Sequence, residues 1–256
     1  MTAARYNKIK VPSAYQMVAE AIEREIMSGR LRPGDQVGTE AELVRQFGVN
    51  RSTVREGIRL LEQSGLVQRE AGRKLHVCPP RYRNLSSRMS RALVLGQVTF
   101  REVFDATLVL EIMSVEAAID HATDSHIKAL EANQRSAESE IDHADPSRIA
   151  QLDTDFHALL ARASGNRVLE LAREPSALLI FPTSELICRR VPEGAGRMIR
   201  AHRELIDALR ARDKTRAATW MKRHVEDWKK GFERAGRDMD EPVERVIERL
   251  APAALF

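Results

Sequence analysis

Four side chains in the second half of this 256-residue chain have the types and spacing of metal ligands. Asp153 and His157 are four residues apart in a segment of helical periodicity, so they lie on one helix face, one turn apart. His202 and His224 fall in two later helical segments, each among apolar residues. Because a buried imidazole without a partner costs roughly 1–3 kcal/mol, one shared metal ion would satisfy all three histidines. Spacing alone leaves open ordinary hydrogen-bonded histidines and a surface Asp153–His157 pair.

A second polar group opens a short predicted helix near Ser52. Arg51, Ser52, Thr53 and Arg55 supply charge and hydrogen-bond donors. The later apolar residues recur at helical spacing and predict an inward face, namely Val54, Ile58, Leu61 and Leu66. In a helix-turn-helix the second helix enters the DNA major groove with its N-terminal residues against base edges. We therefore predict base contacts from Arg51 and Arg55, with guanine as partner, and phosphate contacts from Ser52 and Thr53.

The elements around this helix predict a winged helix-turn-helix over residues 1–80. An amphipathic helix covers residues 13–28, and Pro33 with Gly34 then breaks regular structure. A capping box formed by Thr39 and Glu42 starts the next helix, which ends near Gly48. These helices and the recognition helix, which stops at Gly65, form the expected three-helix head.

Two short alternating strands, residues 66–68 and 75–77, form the predicted wing, with residues 71–74 as its tip. In this wing we predict that Gly72 holds a phosphate and that Arg73 or Lys74 enters the adjacent minor groove. The Pro79-Pro80 pair ends the domain, since proline neither continues a strand nor enters a helix interior. We place a linker at residues 81–99.

Residues 100–235 show only helical periodicity and predict an all-α bundle, so the fold class is mainly α. Helices are expected over residues 100–122 and 124–141, from Asp145-Pro146 to about residue 164, and from 166 onward, where Pro175 and Pro182 should kink or divide the helix. Two more follow over residues 192–212 and 213–235. The tail, residues 236–256, contains a charged helical patch without an evident docking site.

Charge is distributed unevenly along the chain. Residues 1–84 hold fifteen Lys and Arg against nine Asp and Glu, about +6, whereas the remaining residues hold 26 against 28, about −2. Basic charge concentrated on one module is typical of a polyanion partner. Two isolated cysteines, the absence of a signal-peptide pattern and apolar runs too short for a bilayer predict a cytoplasmic protein without membrane association.

The N-terminal motifs resemble those of GntR-type transcriptional regulators. The chain has FGVNRSTVREGI, RLLEQSGLV and GRKLHV in the family's order, over about forty residues. The resemblance implies a winged helix that reads double-stranded DNA, and dimers that bind a near-palindromic operator. Two positions differ from the family pattern: Ala41 stands where an Arg often touches DNA, and Lys74 stands at the wing's second glycine.

The C-terminal half resembles the all-helical FCD-type effector domain of the FadR subfamily. The chain has DTDFHALLARASGN, HRELIDALRARD and MKRHVEDW, which match the metal-binding version of that domain. The resemblance implies that Asp153, His157, His202 and His224 are the metal ligands. A set rich in nitrogen favours Zn, Ni, Mn or Fe over Ca or Mg.

The resemblance also implies an effector cavity beside the metal. Its first helix commonly carries a Glu, here Glu111, and an Arg four residues earlier, where this chain has Thr107. We predict Thr107 and Glu111 as effector-binding residues and a small organic acid as effector.

Together these features predict a homodimeric, DNA-binding transcriptional regulator whose operator binding responds to a small carboxylic acid at a divalent metal site. Two other functions use the same residues. An open His/Asp metal site also serves metal-dependent hydrolases, although the chain has no HExxH motif or nucleophile elbow. A sensor of metal alone would need no organic effector.

Overall fold

The computed structural model describes residues 12–69, 74–78, 82–141 and 145–243, with the side chains of residues 82–88 left aside. The chain divides into two compact units, Met1–Asn84 and Leu85–Phe256. The first unit holds helices α1 (Ala14–Met27), α2 (Glu40–Phe47) and α3 (Arg51–Ser64), with strands β1 (Gln36–Gly38), β2 (Val67–Arg69) and β3 (Leu75–Val77).

The three helices of the first unit form where the sequence predicts them. Thr39 and Glu42 form the expected capping box at α2, and the side chain of Asn50 accepts a hydrogen bond from the Thr53 backbone to cap α3. Helix α3 packs closely on α1 at Gly57, where a Cβ atom would lie only 2.9 Å from the Tyr15 carbonyl oxygen. The core under the recognition helix includes Val18, Ile22, Leu43, Val54, Ile58 and Leu61.

The sheet contains a strand that the sequence analysis missed. The order is β1-β3-β2, and both pairings are antiparallel. Pro33 and Gly34 form the predicted break, a turn without regular structure, and the unpredicted strand β1 begins just after it. Gly34 N donates to Val77 O, and Val77 N donates to Asp35 O, both at 2.9 Å. These bonds align β1 with β3, and such a short strand is defined by its partner rather than by its own sequence.

The second unit is a bundle of helices: α4 (Tyr82–Leu95), α5 (Phe100–His121), α6 (Asp124–Glu140), α7 (Pro146–Ala163), α8 (Arg167–Arg190), α9 (Glu193–Ala211) and α10 (Lys214–Arg234). Its core includes Phe100, Phe156, Leu179, Leu205, Met221 and Phe232. Among the described helices, none has an apolar stretch long enough to span a membrane.

Two features of this unit differ from the sequence prediction. Most of the predicted 81–99 linker is helix α4, which packs on the bundle through Leu93, Val94 and a 2.9 Å hydrogen bond from Ser90 to the Pro175 carbonyl. Helix α8 runs through Pro175 and Pro182 as one helix, so of the two predicted effects of these prolines, a kink or a division, the structure excludes the division. Each proline removes one backbone hydrogen bond, but Pro175 and Pro182 are both buried, and packing keeps the helix together.

The described start of the C-terminal tail docks on the same bundle. Met239 and Val243 are buried, and Val243 N donates to Val98 O at 2.9 Å. Phe100 N and Arg101 N donate to the tail carbonyls of Glu241 and Met239. The tail thus satisfies backbone donors at the start of α5, which otherwise have no partner within the helix.

Candidate metal centre and nucleic-acid interface

The four predicted ligands converge from three helices. Asp153 and His157 lie on α7, His202 on α9 and His224 on α10, and their four ligand atoms lie within 4.8 Å of one another. Asp153 Oδ1 is 3.3 Å from His202 Nε2, 3.5 Å from His224 Nε2 and 3.9 Å from His157 Nε2, and the last two histidine atoms are 3.0 Å apart. Ligands bound about 2.0–2.2 Å from one ion are separated by about 3–4 Å, so this geometry suits a single metal ion.

His202 lies at the buried side of the cluster. Its ring is fully buried and stacks on Phe156 with centroids 3.7 Å apart and planes 4° apart. Burial lowers the pKa of His202 to about 3, so the imidazole is neutral. The 3.3 Å approach of Asp153 Oδ1 to His202 Nε2 does not have the alignment of a hydrogen bond, so these two atoms and His202 Nδ1 have no hydrogen-bond partner. A metal ion would satisfy two of these unpaired atoms at once, so the residues fit a metal site.

Glu111 orients His157 through the ring nitrogen that is not available to the metal. Its Oε2 atom lies 2.8 Å from His157 Nδ1, which leaves Nε2 as the atom that faces the other ligands. Burial works against ionisation of Glu111, but His157 and Arg173 prevail and lower its pKa to about 2. For His157, burial again opposes the charged form, and the Glu111 carboxylate prevails and raises the pKa. A carboxylate behind a ligating histidine fixes the tautomer and strengthens the ligand.

This placement gives Glu111 a role that the sequence analysis did not predict. Its second oxygen, Oε1, accepts a 3.1 Å hydrogen bond from Arg173 Nε, so both oxygens are already occupied inside the protein. Glu111 thus orients His157 and also lines the cavity that contains Thr107, so its predicted contact with the effector stays a prediction. Sequence reasoning missed Arg173 because α8 gives no motif around it, and only the fold brings it to Glu111.

Thr107 is in a position that suits the predicted effector contact. It lines the same cavity as Asp153, His157 and His224, is almost fully buried, and its hydroxyl has no hydrogen-bond partner. Cys188 lines the neighbouring part of the cavity, where burial raises the pKa of its thiol to about 12. Cys188 is not one of the four side chains whose ligand atoms converge.

The start of α3 presents polar groups to the surrounding solvent. Arg51, Ser52 and Arg55 are exposed and Thr53 is half-buried, so the two predicted base-reading arginines are accessible. The Ser52 hydroxyl donates to Asn50 Oδ1 at 2.7 Å. Lys74 is exposed immediately before β3, whereas Gly72 and Arg73 lie outside the described residues.

Arg55 is held by an acid that the sequence analysis did not consider. Its Nε atom donates to Glu40 Oε2 at 2.9 Å, and Glu40 Oε1 lies 3.0 Å from Arg69 Nη1. Hydrogen bonding from Arg55 is the main reason that the pKa of Glu40 is lowered. The Arg55 side chain is still 60% exposed. Glu40 therefore orients Arg55 without covering it.

We expect Glu40→Gln to strengthen binding to unrelated duplexes by about two- to fivefold, the range of an exposed ion pair, and to reduce discrimination between a selected and a scrambled duplex. One negative charge near DNA is lost, and Arg55 is no longer held in one orientation. Fluorescence anisotropy on both duplexes measures the change. Glu56→Gln is the matched control, because Glu56 pairs with Arg59 on the same helix and the charge change is equal. Equal effects from both variants would contradict an orienting role for Glu40.

Comparison with known proteins agrees with both halves of this architecture. Residues 14–77 match the family of bacterial regulatory proteins, gntR family, and residues 102–227 match the FCD domain. The chain is 29% identical over 219 residues to the HTH-type transcriptional repressor NanR of Salmonella arizonae, which covers 82% of this chain and 81% of that protein. The NanR repressor of Salmonella typhimurium is 28% identical over the same length.

A solved structure, the GntR protein of Streptococcus agalactiae, has the same fold with a TM-score of 0.61 and 22% identity, covering 84% of this chain and 99% of that one. The chain belongs to the GntR family of DNA-binding transcriptional regulators and carries an FCD effector-binding domain. It is a regulator and not an enzyme, since the relatives it matches are transcriptional repressors.

Proposed function

We propose that this chain is a regulator of the FadR subfamily whose operator binding changes when a small carboxylic acid binds beside a divalent metal ion. The observation that carries the proposal is the convergence of Asp153, His157, His202 and His224 from three helices next to a cavity. Zn, Ni, Mn or Fe suits this nitrogen-rich set. One carboxylate and three neutral imidazoles leave a divalent ion with about one positive charge, which a carboxylate effector would balance in any open coordination position.

We further propose that the protein binds a near-palindromic operator as a homodimer in the cytoplasm, where bacterial DNA lies. Two-fold symmetry in the protein requires matching half-sites in the DNA. The proposed DNA-contacting residues are Arg51, Ser52, Thr53, Arg55, Gly72, Arg73 and Lys74. The exposure of Arg51 and Arg55 supports the first part of this set.

The effector can change operator affinity only by as much as it prefers one arrangement of the protein over another. The metal ligands lie on α7, α9 and α10, and Thr107 lies on α5. A ligand that contacts the ion and Thr107 together therefore touches four helices of the bundle, so any shift among them changes its binding energy. Allosteric couplings of this kind are typically about 1–3 kcal/mol, or about five- to 150-fold in affinity.

Operator binding in the presence and absence of metal and acid tests the proposal. A duplex selected from a random pool is titrated with apo protein, metal-loaded protein, and metal-loaded protein with a panel of small acids. We expect at least one acid to change the duplex Kd by five- to 150-fold, and only when metal is bound. A full response to metal alone would favour a metal sensor without an organic effector. No response to metal or to any acid would contradict the proposal.

A further inference from the structure

Three residues that line the cavity beside the metal ligands each carry a buried polar atom without a hydrogen-bond partner. Besides Asp153 and His224, this cavity is lined by Ser184 on α8, Arg197 on α9 and Trp228 on α10. Ser184 Oγ, Arg197 Nη2 and Trp228 Nε1 are each buried and have no hydrogen-bond partner. Since an unsatisfied buried donor costs roughly 1–3 kcal/mol, these atoms require an acceptor that the protein itself does not supply.

The two charged or aromatic donors among them are held in place by neighbours. Both oxygens of Asp227 accept from Arg197 Nε, at 3.0 and 2.8 Å, so the other end of the guanidinium is left to make a bond elsewhere. The Trp228 ring packs against Phe100 and Phe104, with centroid separations of 4.5 and 6.3 Å. Donors fixed before a ligand arrives discriminate well, because little conformational freedom is lost on binding.

Charge balance limits the number of carboxylate groups that a ligand in this cavity can carry. A divalent ion with Asp153 leaves about one positive charge, while Glu111 balances Arg173 and Asp227 balances Arg197. One carboxylate therefore neutralises the cavity, and a second buried carboxylate would lack a counter-charge. The remaining donors need neutral acceptors such as hydroxyl or carbonyl oxygens.

We propose, on the basis of the proposed function above, that the effector is a small hydroxy or oxo monocarboxylic acid, and that Arg197 and Trp228 recognise its neutral oxygen atoms. Its carboxylate lies at the metal, and Ser184 adds a third hydrogen bond. The apolar walls of the cavity, which include Ile187, Ala195 and Met198, accommodate the carbon chain. An aliphatic acid would bind the metal but leave the donors unpaired, and sites built to hydrogen-bond a group reject analogues that lack it.

Matched acids of two lengths test this proposal on the full-length, metal-loaded protein. The three-carbon set is propionate, lactate and malonate, and the six-carbon set is hexanoate, gluconate and adipate. Each set compares an aliphatic, a hydroxy and a dicarboxylic acid. Calorimetric titration gives Kd, and metal content is measured after each titration because hydroxy acids can extract metal. At the length that fits, we expect the hydroxy acid to bind at least about tenfold more tightly than the other two, the effect of about one hydrogen bond.

Two variants test whether Trp228 and Arg197 cause the preference for the hydroxy acid over the aliphatic acid. Trp228→Phe keeps an aromatic ring but removes the Nε1 donor, and Arg197→Met keeps much of the side-chain length but removes the guanidinium. In each we expect the preference for the hydroxy acid over the aliphatic acid to fall by about tenfold, with little change for the aliphatic acid itself. The controls Trp220→Phe and Arg203→Met should preserve the preference, since Trp220 stacks with surface arginines and Arg203 pairs with Glu138.

The outcomes separate this inference from the proposed function. If the protein holds metal and binds aliphatic or dicarboxylic acids as tightly as hydroxy acids, or if both variants keep the preference, the inference is wrong while a metal-dependent acid site remains. If metal is bound and no acid of either set binds, the inference is also wrong. If the protein takes up no metal, the proposed function itself fails.

Discussion

The His202→Ala/His224→Ala double variant should lose its divalent ion at concentrations where the wild-type protein is saturated. Two of the four ligands are gone, and the remaining pair, Asp153 and His157, lies on one helix. Metal bound only to the folded state stabilises it by RT ln(1 + [M]/Kd), or about 4 kcal/mol at a thousandfold excess over Kd. A chelator should therefore lower the unfolding temperature of the wild type and leave that of the variant unchanged. Mass spectrometry for metal content and a thermal melt with and without chelator measure both effects.

His121→Ala is the control for the loss of a histidine in the same unit. His121 is exposed on α5, bonds to the Ala117 carbonyl and is not one of the four converging ligands, so metal content and chelator sensitivity should match the wild type. The double variant should still bind a selected duplex, because its changes lie outside the unit that carries α3. Stoichiometric metal in the double variant would show that the ligand set is mistaken.

Replacing Arg51 by Ala should weaken binding to a selected operator by about 1–3 kcal/mol, roughly five- to 150-fold, and relax specificity at one base pair of each half-site. Arg51 is the first residue of α3 and is exposed. An arginine at the entering end of a recognition helix can donate two hydrogen bonds to guanine, and those bonds have no equivalent at other bases. Anisotropy titrations against the selected duplex and its single-base variants give both the affinity and the specificity.

The control variant Arg59→Ala distinguishes a contact to a base from general attraction to the DNA phosphates. Arg59 lies on the same helix, is 66% exposed and pairs with Glu56, so the variant loses the same charge two turns further along α3. Any weakening should be similar for all duplexes and should appear mainly in the salt dependence. If Arg51→Ala behaves in the same way, with unchanged base preference, Arg51 contacts phosphate rather than a base.

Local signals in the sequence predicted most helix boundaries. The Thr39 capping box starts α2, the Asp145-Pro146 pair starts α7, and Gly65 ends α3 in a left-handed conformation. Caps and helix-ending glycines act within one turn of the backbone, so their effect can be predicted without knowledge of the fold. The same holds for Asp153 and His157, whose shared face follows from helix geometry alone.

Elements that depend on a distant partner were missed or misassigned. Strand β1 is held by hydrogen bonds to β3, which lies forty residues later in the sequence. Helix α4 was predicted as a linker because the residues against which it packs belong to other helices of the bundle and are not adjacent to it in the sequence. Pro175 and Pro182 predicted a kink or a division of α8, and the helix continues through both buried prolines without dividing. In each case tertiary packing and hydrogen bonding outweigh the local conformational preference of the residues. That contribution depends on distant partners and cannot be predicted from the local sequence.

The sequence by itself determined the class of this protein: a basic winged-helix head, a helical effector domain, and four ligand-type side chains at helical positions. Tertiary structure alone decided which side chains share a cavity. It placed Glu111 within hydrogen-bond distance of His157 and Arg173, and it paired Arg55 with Glu40. It also left hydrogen-bond donors on Ser184, Arg197 and Trp228 unpaired beside the metal ligands. Ligand types and helix faces follow from short-range geometry, whereas hydrogen-bond partners across helices depend on how the whole bundle packs.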